Sequence, residues 1–297
     1  MRRRSIAALA LLAALAVVAP LRAAPLELRD DRGVLLRFER APTRIVTLLP
    51  SLTETVCELG ACERLVGTDR YSNWPASVQA LPKLGGLEDP QVERLYALRP
   101  DLVLAAKSAR VLERLEALGL KVMALESLSL ADTRRSIGVV AQVLGRPDAG
   151  RALFERIEAR VRGAARRVPP SWHGARAYVE VAGAPFAAGE VSFIGELLAA
   201  LGVGNAVPAA LGPFPKLNPE YVVRARPELV LASQRGLAGM PKRPGWDRLD
   251  ALRRGHACGF DEARWELLIR PGPRLGEAAE IVADCLAALP PRAEAGR

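Results

Sequence analysis

Short apolar runs alternate with segments of helical spacing along most of the chain. The run RIVTLLP (44–50) carries no charge after its first residue, which is typical of a strand buried on both faces. The segment RVLERLEALG (110–119) has apolar residues three or four positions apart and ends in glycine, which indicates a helix. Because strands that alternate with helices form parallel βα units, the pattern predicts an α/β fold.

The two halves of the chain predict a similar order of elements. In the first half a hairpin turning at 31–33 is followed by strands at 44–50, 64–70, 101–106 and 121–126, with helices at 51–60, 90–98, 110–119 and 129–144. In the second half we expect strands at 175–182, 229–233 and 256–260, with helices at 190–201, 218–225 and 274–289. Ser51, with Glu54 three residues later, predicts a capping box at the start of the first of these helices.

One longer segment of helical spacing, 147–168, separates the halves. Pro147 suits a first helical turn, and two prolines at 169–170 end the pattern. Twenty-two residues at 1.5 Å each would reach about 33 Å, so the segment predicts a stiff strut. We therefore expect two similar Rossmann-like lobes, 25–146 and 171–297, joined by one long helix within 147–170. The ligand cleft would lie between the lobes, where the strand ends converge.

A repeated phrase supports an internal duplication. LRPDLVLA occupies 98–105 and ARPELVLA occupies 225–232. Glu93 and Glu220 each stand seven residues before the proline of their phrase. Common residues alone could produce two such phrases, but the matching glutamates favour a duplication.

The first residues predict a signal peptide, 1–24, and export to the periplasm. Three arginines at 2–4 precede an apolar run over 6–19, and small residues follow at 23–24. The run is too short for a membrane span, although an uncleaved anchor is the alternative. No cysteine precedes Cys57, so we expect no lipid-anchored form.

Composition adds little to this outline. The net charge is +9, and loss of the four arginines in the leader would leave about +5. This excess is spread over many predicted helices rather than concentrated among aromatic residues, so we expect no nucleic-acid partner.

Four cysteines in an oxidising compartment allow two disulfides in any of three pairings. Cys258 lies on the predicted last strand and Cys285 on the last helix of the same lobe, so these two could pack together. Cys57 and Cys62 flank Gly60, where a turn could bring them close. A continuous helix would instead hold positions five apart too far for a bond.

Five segments, in the order expected, resemble landmarks of a known family. They are RIVTLLPSLTE, DRYSNWP, ERLYALRPDLVLA, NPEYVVRARPELVLAS and RPGPRL. The chain resembles the class III periplasmic substrate-binding proteins of ABC importers over about 26–289, and its pattern is most similar to the cobalamin-binding branch. The resemblance implies a monomeric receptor without a permanent cofactor. It would carry cobalamin or a related corrinoid to a transmembrane permease dimer with a cytoplasmic ATPase.

The resemblance also assigns the duplicated glutamates. In that family each lobe presents a surface glutamate to arginines of a two-fold permease, and Glu93 and Glu220 fall at those positions. The alternative is a structural role, because a carboxylate in the first turn of a helix interacts favourably with the helix dipole.

Candidate ligand residues come from both halves. Backbone N–H groups at the strand-to-helix junction of Pro50, Ser51 and Leu52 could bind polar ligand edges. Tyr71 and Phe186 match aromatic residues of the cobalamin branch, and Arg270 matches a family arginine near the cleft, with Glu266 one turn earlier. An ion pair on the surface is the alternative for the last two.

Other residues complete this candidate site or depart from the family. Trp74, in the same loop as Tyr71, and Phe214 are further candidates, although Trp74 could equally lie in the core of its lobe. Two cleft positions that carry tryptophan in the cobalamin binder align with Leu87 and Ala106. This loss of aromatic wall leaves room for another corrinoid or a different macrocycle.

Four other functions are alternatives to a corrinoid receptor. A siderophore receptor would use Lys107 and Arg270 for an anionic chelate, and a haem receptor could use Tyr71 as an axial ligand. A receptor for bare metal ions is disfavoured because His173 and His256 are the only histidines, and we expect no metal site. An exported hydrolase is disfavoured because the chain has no G-x-S-x-G motif.

Overall fold

The computed structural model describes residues 25–182 and 186–292. The first lobe contains β1 (Leu26–Arg29), β2 (Leu35–Phe38), β3 (Ile45–Thr47), α1 (Pro50–Glu58), β4 (Leu65–Thr68), α2 (Val92–Ala97), β5 (Leu102–Ala106), α3 (Leu112–Ala117), β6 (Val122–Leu125) and α4 (Leu130–Val143). Helix α5 (Pro147–Ala165) follows. The second lobe contains β7 (Arg176–Ala182), β8 (Phe186–Ala187), α6 (Phe193–Ala200), β9 (Gly204–Asn205), α7 (Pro219–Ala225), β10 (Leu229–Ser233), α8 (Gln234–Gly239), α9 (Asp250–Arg253), β11 (Ala257–Phe260), α10 (Glu262–Ile269) and α11 (Leu275–Ala288).

Each lobe is built on a parallel sheet, and the two sheets share one strand order. The order is β4-β3-β5-β6 in the first lobe and β9-β7-β10-β11 in the second, with short β8 antiparallel to β7. Hairpin β1–β2 forms a separate antiparallel sheet. The predicted two-lobed α/β fold is confirmed, and the matching strand orders agree with an internal duplication.

The duplicated phrase encodes the same helix-to-strand turn in both lobes. Arg99 and Arg226 follow α2 and α7 with positive φ angles of 47° and 45°. This left-handed conformation ends a helix, and the proline that follows in each phrase prevents the helix from continuing. The chain then enters β5 or β10 at the middle of its sheet.

The acidic residue after each proline binds the start of the neighbouring strand. Asp101 accepts hydrogen bonds from the backbone nitrogens of Thr43 and Arg44, at 2.9 and 3.0 Å. Glu228 accepts one from the backbone nitrogen of Arg176, at 3.0 Å. The repeat is therefore a repeated structural device, which ties the two central strands of each sheet together.

Helix α5 packs against both lobes through two close backbone approaches. A Cβ atom on Gly150 would lie 2.5 Å from the Cβ of Ala141 in α4. A Cβ on Gly276 in α11 would lie 2.7 Å from the Cβ of Arg160 in α5. The helix has 19 residues, which corresponds to about 28 Å, and it ends at Ala165, three residues before the predicted end.

Both expected disulfides are present in the structure. Cys258 of β11 bonds to Cys285 of α11, and Cys57 of α1 bonds to Cys62. The second bond is possible because α1 ends at Glu58, so the chain turns between the two cysteines as expected.

One local prediction, the capping box of the first helix, was wrong, and the predicted leader cannot be compared with the structure. Helix α1 begins at Pro50, its N-cap is Leu49, and Ser51 provides no side-chain cap. The predicted capping box does not form, because Glu54 binds a distant arginine instead. The predicted leader lies outside the described residues. Within 25–182 and 186–292, no helix is long and apolar enough to span a membrane.

Candidate functional site

A cleft of about 310 Å³ lies between the lobes at the carboxyl ends of the sheets. The first lobe lines it with residues at or just after the ends of β3, β5 and β6. The second lobe lines it with the end of β7, the start of α6, the end of α10 and two loop residues. These residues are Leu49, Ala106, Lys107, Ser108, Leu125, Glu126, Ser127, Leu128, Val181, Phe193, Ile194, Phe214, Ile269 and Pro271. The volume is near the lower end of the range of about 300–1,000 Å³ usual for ligand pockets, and the lining is mostly apolar.

Hydrogen bonds join the lobes beside the cleft. The backbone nitrogen of Phe193 donates to the carbonyl of Leu128 at 2.7 Å, and that of Leu130 donates to Glu196 Oε2 at 2.6 Å. These bonds bring the start of α6 against the start of α4. Among the polar groups of the cleft, Lys107 Nζ lies 3.4 Å from Glu126 Oε2.

A series of buried hydrogen bonds holds the loop that carries Tyr71. Asp69 accepts hydrogen bonds from the backbone nitrogen of Tyr71, at 2.8 Å, and from the hydroxyl of Ser72. The Ser72 hydroxyl in turn lies 2.7 Å from that of Thr53 in α1. Burial raises the pKa of the Asp69 carboxyl above its usual value, although these hydrogen bonds oppose the shift. The loop is thus anchored from beneath while the Tyr71 side chain stays 57% exposed.

Arg270 joins the second lobe to this loop. Its Nη1 donates to Glu54 Oε1 at 2.8 Å and to Asn73 Oδ1 at 2.9 Å. Its Nη2 donates to the Tyr71 carbonyl at 3.1 Å and to Glu266 Oε2 at 2.8 Å. The Arg270 side chain is only 11% exposed, so the pair with Glu266 belongs to a buried network between the lobes rather than to the surface.

Glu54 is the most deeply buried charged member of the network. Its side chain is 2% exposed. Burial raises the pKa of its carboxyl above the usual value, whereas the hydrogen bond and charge of Arg270 lower it. Sequence reasoning missed both Glu54 and Asn73 as members of this site, because their partner lies about 200 positions away in the chain.

Trp74 also takes part in the contact between the lobes. The Arg274 guanidinium, at the start of α11, lies 4.5 Å from the centre of the Trp74 ring. Arg274 is held in turn by Glu277, at 2.7 Å. Trp74 is therefore half-buried beneath a cation of the opposite lobe rather than part of the core of its own lobe.

Two aromatic candidates, Phe186 and Phe214, belong to the second lobe. Phe186, in β8, is 40% exposed, and Lys216 Nζ lies 6.0 Å from its ring centre. Phe214 lines the cleft and packs at 5.8 Å against Phe193, a cleft residue for which the sequence had offered no signal beyond its place at a helix start.

The remaining candidates lie around the first helix and the first-lobe core. Ser51 and Leu52 are buried, and Pro50 is half-buried. Gly272 packs on Ser51, since a Cβ at Gly272 would lie 3.1 Å from the Ser51 Cβ. Leu87 packs at the edge of the first-lobe core. In this arrangement the start of α1 contacts the second lobe directly.

The family model that describes the periplasmic binding protein matches residues 45–263, which is most of the chain. The chain belongs to this family. The match runs from β3 to the start of α10 and so includes most of both lobes and the helix that joins them.

Proteins similar to this periplasmic binding protein are named for the binding of a ligand or for an ABC transporter. A vitamin B12-binding protein of Vibrio vulnificus (strain CMCP6) is 26% identical over 256 residues, which cover 83% of this chain and 90% of the relative. An uncharacterized ABC transporter substrate-binding lipoprotein, YvrC, of Bacillus subtilis (strain 168) is 24% identical over 273 residues, covering 88% and 85%. The solved structure of the periplasmic heme-binding protein BhuT with two hemes superposes with a TM-score of 0.70. It is 27% identical and covers 82% of this chain and 98% of that one.

These matches identify a substrate-binding protein of the ABC type and confirm that the protein is not an enzyme. Within the described ranges, no group of three or more His, Cys, Asp and Glu residues lies close enough together to hold a metal ion.

The duplicated glutamates lie on the surface of this periplasmic binding protein. Glu93 is in the first turn of α2, with its side chain 78% exposed and 2.6 Å from Arg114. Glu220 is in the first turn of α7 and is also exposed. The side chain of Asn218 already caps α7 by accepting from the Glu220 backbone nitrogen at 2.9 Å. The Glu220 carboxylate is therefore not needed as the helix cap.

Proposed function

We propose that this periplasmic binding protein captures cobalamin or a related corrinoid between its lobes and delivers it to an ABC permease. The observation that carries the proposal is the mostly apolar cleft between the lobes. Tyr71 and Phe186 are exposed aromatics of opposite lobes that do not line this cleft themselves and would extend its walls around a ligand. A flat macrocycle with apolar faces and a few polar edges suits such walls. The 26% identity with a vitamin B12-binding protein supports the choice of a corrinoid.

Haem is the second candidate, and one observation favours it. The exposed phenol of Tyr71 could serve as an axial iron ligand. The cleft also contains a lysine, Lys107, and Lys216 lies beside Phe186, so positive charge is available for the carboxylates of an anionic macrocycle. The likeness to a heme-binding structure supports this alternative.

Native mass spectrometry and absorbance titration of the purified protein test the ligand class. The probes are cyanocobalamin, dicyanocobinamide, haemin and a ferric siderophore. We expect a one-to-one complex with one or both corrinoids. Retention of haemin alone would assign the protein to haem, and retention of the siderophore alone would contradict both macrocycles.

The proposed delivery route has three parts. Residues 1–24 would direct export and be removed, leaving a monomeric receptor in the periplasm. Residues 25–146 and 171–297 would act as the two lobes around the linking segment, and Glu93 and Glu220 would dock one on each half of a two-fold permease. A mature N-terminus near residue 24 or 25, read by sequencing of the exported protein, is the expected result.

A further inference from the structure

The terminal nitrogens of Arg270 donate all of their hydrogen bonds to other groups of the protein. Its four bonds use both protons on Nη1 and both on Nη2. Each acceptor lies at 2.8–3.1 Å, and the guanidinium is nearly buried. A side chain committed in this way is poorly placed to bind a ligand.

Three of the four bonds cross from the second lobe to the first. Glu54 belongs to α1, while Tyr71 and Asn73 belong to the loop that follows β4. The two residues on either side of Arg270, Ile269 and Pro271, line the cleft. Asn73 is held twice, because its Nδ2 also donates to Glu266 Oε2 at 2.8 Å. Arg270 and Glu266 therefore grip the loop from the second lobe.

We infer that Arg270 is a positioning residue that fixes the Tyr71 loop against the second lobe and so sets the geometry of the cleft. Glu54 supplies the buried countercharge that holds the guanidinium in place. This inference rests on the proposed function only for the identity of the ligand, because the contacts themselves lie within the protein.

The chain offers a matched control. Arg243 is also a partly buried arginine, 20% exposed, and its two terminal nitrogens bind both oxygens of buried Glu180. This pair lies wholly within the second lobe. Removing Arg243 therefore tests the loss of a buried arginine without releasing the loop.

The experiment compares Arg270→Gln, Glu54→Gln and Arg243→Gln. We expect the first two to raise the Kd for cyanocobalamin at least fivefold and to speed deuterium exchange of the Tyr71 amide, which donates to Asp69. Glu54 is too deeply buried to meet a ligand, so its effect would have to pass through Arg270. Arg270→Lys keeps the positive charge but cannot form all four hydrogen bonds, so we expect a Kd between those of wild type and Arg270→Gln. Arg243→Gln should lower the Tm while leaving the Kd and the loop exchange unchanged.

Two results would overturn the inference. In the first, Arg270→Gln raises the Kd, but Glu54→Gln leaves the Kd unchanged and neither substitution speeds exchange of the Tyr71 amide. Arg270 would then contact the ligand directly. If both substitutions lower only the Tm, the network is structural and does not shape the cleft. If cyanocobalamin binds no protein, wild type included, the proposed ligand is wrong, and the exchange measurement still decides whether Arg270 holds the loop.

Discussion

At the scale of single residues, each copy of the repeated phrase contains a carboxylate, Asp101 or Glu228, that binds the start of the neighbouring strand. Partial burial raises the pKa of Asp101, but hydrogen bonds from Thr43 and Arg44 outweigh it and hold the pKa below its usual value. Glu228 is similar: burial raises its pKa, and the hydrogen bonds from Arg176 and Arg292 outweigh that effect.

Asp101→Asn and Glu228→Gln should therefore destabilise the protein in a pH-dependent way. A carboxylate whose pKa is lowered in the folded state stabilises the protein above its unfolded pKa of about 4. This contribution is lost as the pH falls from there through the lower folded-state pKa. Because solvent screens these partly exposed carboxylates, we expect each substitution to cost at most about 1 kcal/mol near pH 7 and much less near pH 3. Urea unfolding at both pH values measures this. Asp148→Asn, whose side chain is 86% exposed, is the control and should change little at either pH.

The two exposed aromatic residues of the proposed ligand site give a separate prediction. Tyr71→Ala and Phe186→Ala should each weaken binding of cyanocobalamin about tenfold, because each ring would bury apolar area worth about 1–2 kcal/mol against a macrocycle. The Tm should hardly change, since both rings are substantially exposed. Unchanged affinity with a lower Tm would place these rings outside the ligand site.

Tyr71→Phe separates the two macrocycles. The substitution removes only the phenol oxygen, so corrinoid binding should stay within about twofold. If Tyr71 were an axial ligand of haem, the same change would alter the absorption spectrum of the haemin complex. Titration of both probes against one variant distinguishes these outcomes.

At the scale of elements, the two disulfides close loops of different length. Their sequence separations are 27 for Cys258–Cys285 and 5 for Cys57–Cys62. In the loop-entropy account, the longer loop gives the larger stabilisation, by about 1.5 kcal/mol. Double alanine variants of each pair should therefore unfold at different urea midpoints, the Cys258–Cys285 variant lower. The urea midpoint of the reduced wild-type protein should be no higher than that of either variant. Equal midpoints for the two variants would contradict the loop-entropy account.

The sequence pattern was most informative where the structure depends on local periodicity. The apolar runs located the central strands of both sheets, and Pro147 located the start of α5. The pattern failed where a distant contact decides the outcome: Ser51 and Glu54 have capping-box spacing, but Arg270 recruits the glutamate. The two-residue strands β8 and β9 are too short for a clear periodic signal, and helices α8 and α10 were not predicted.

In the candidate site too, local spacing was informative and contacts between distant segments were not predicted. Spacing indicated the Glu266–Arg270 pair, since residues four apart lie on one helix face. It could not reveal that the pair reaches Asn73 on the other lobe, because that contact depends on how the two lobes pack. Residues such as Phe193 enter the cleft only once α6 is placed against the first lobe.

At the scale of the whole molecule, the exposed glutamates predict how the protein meets its transporter. Glu93→Arg with Glu220→Arg should abolish uptake in cells, while ligand binding by the purified protein stays within about twofold. An exposed ion pair contributes only about 0.2–1 kcal/mol, so the pair would act mainly by orienting the approach, and docking should weaken as salt rises.

A matched variant controls for the change of charge. Glu113→Arg with Glu155→Arg alters two other exposed glutamates and should leave uptake intact. Normal uptake by the Glu93 and Glu220 double variant would end the docking hypothesis. A lower Tm with normal transport per folded molecule would support the helix-dipole alternative instead.

The close packing of α5 on both lobes has a kinetic consequence. With Gly150 pressed on α4 and Gly276 pressed on α5, the lobes have little freedom to swing, so capture of a ligand would leave the outline of the molecule nearly unchanged. A permease that docks on Glu93 and Glu220 would then meet the same two charges on empty and loaded protein. Empty protein should compete for the transporter, and raising its concentration above that of the ligand should slow import rather than speed it.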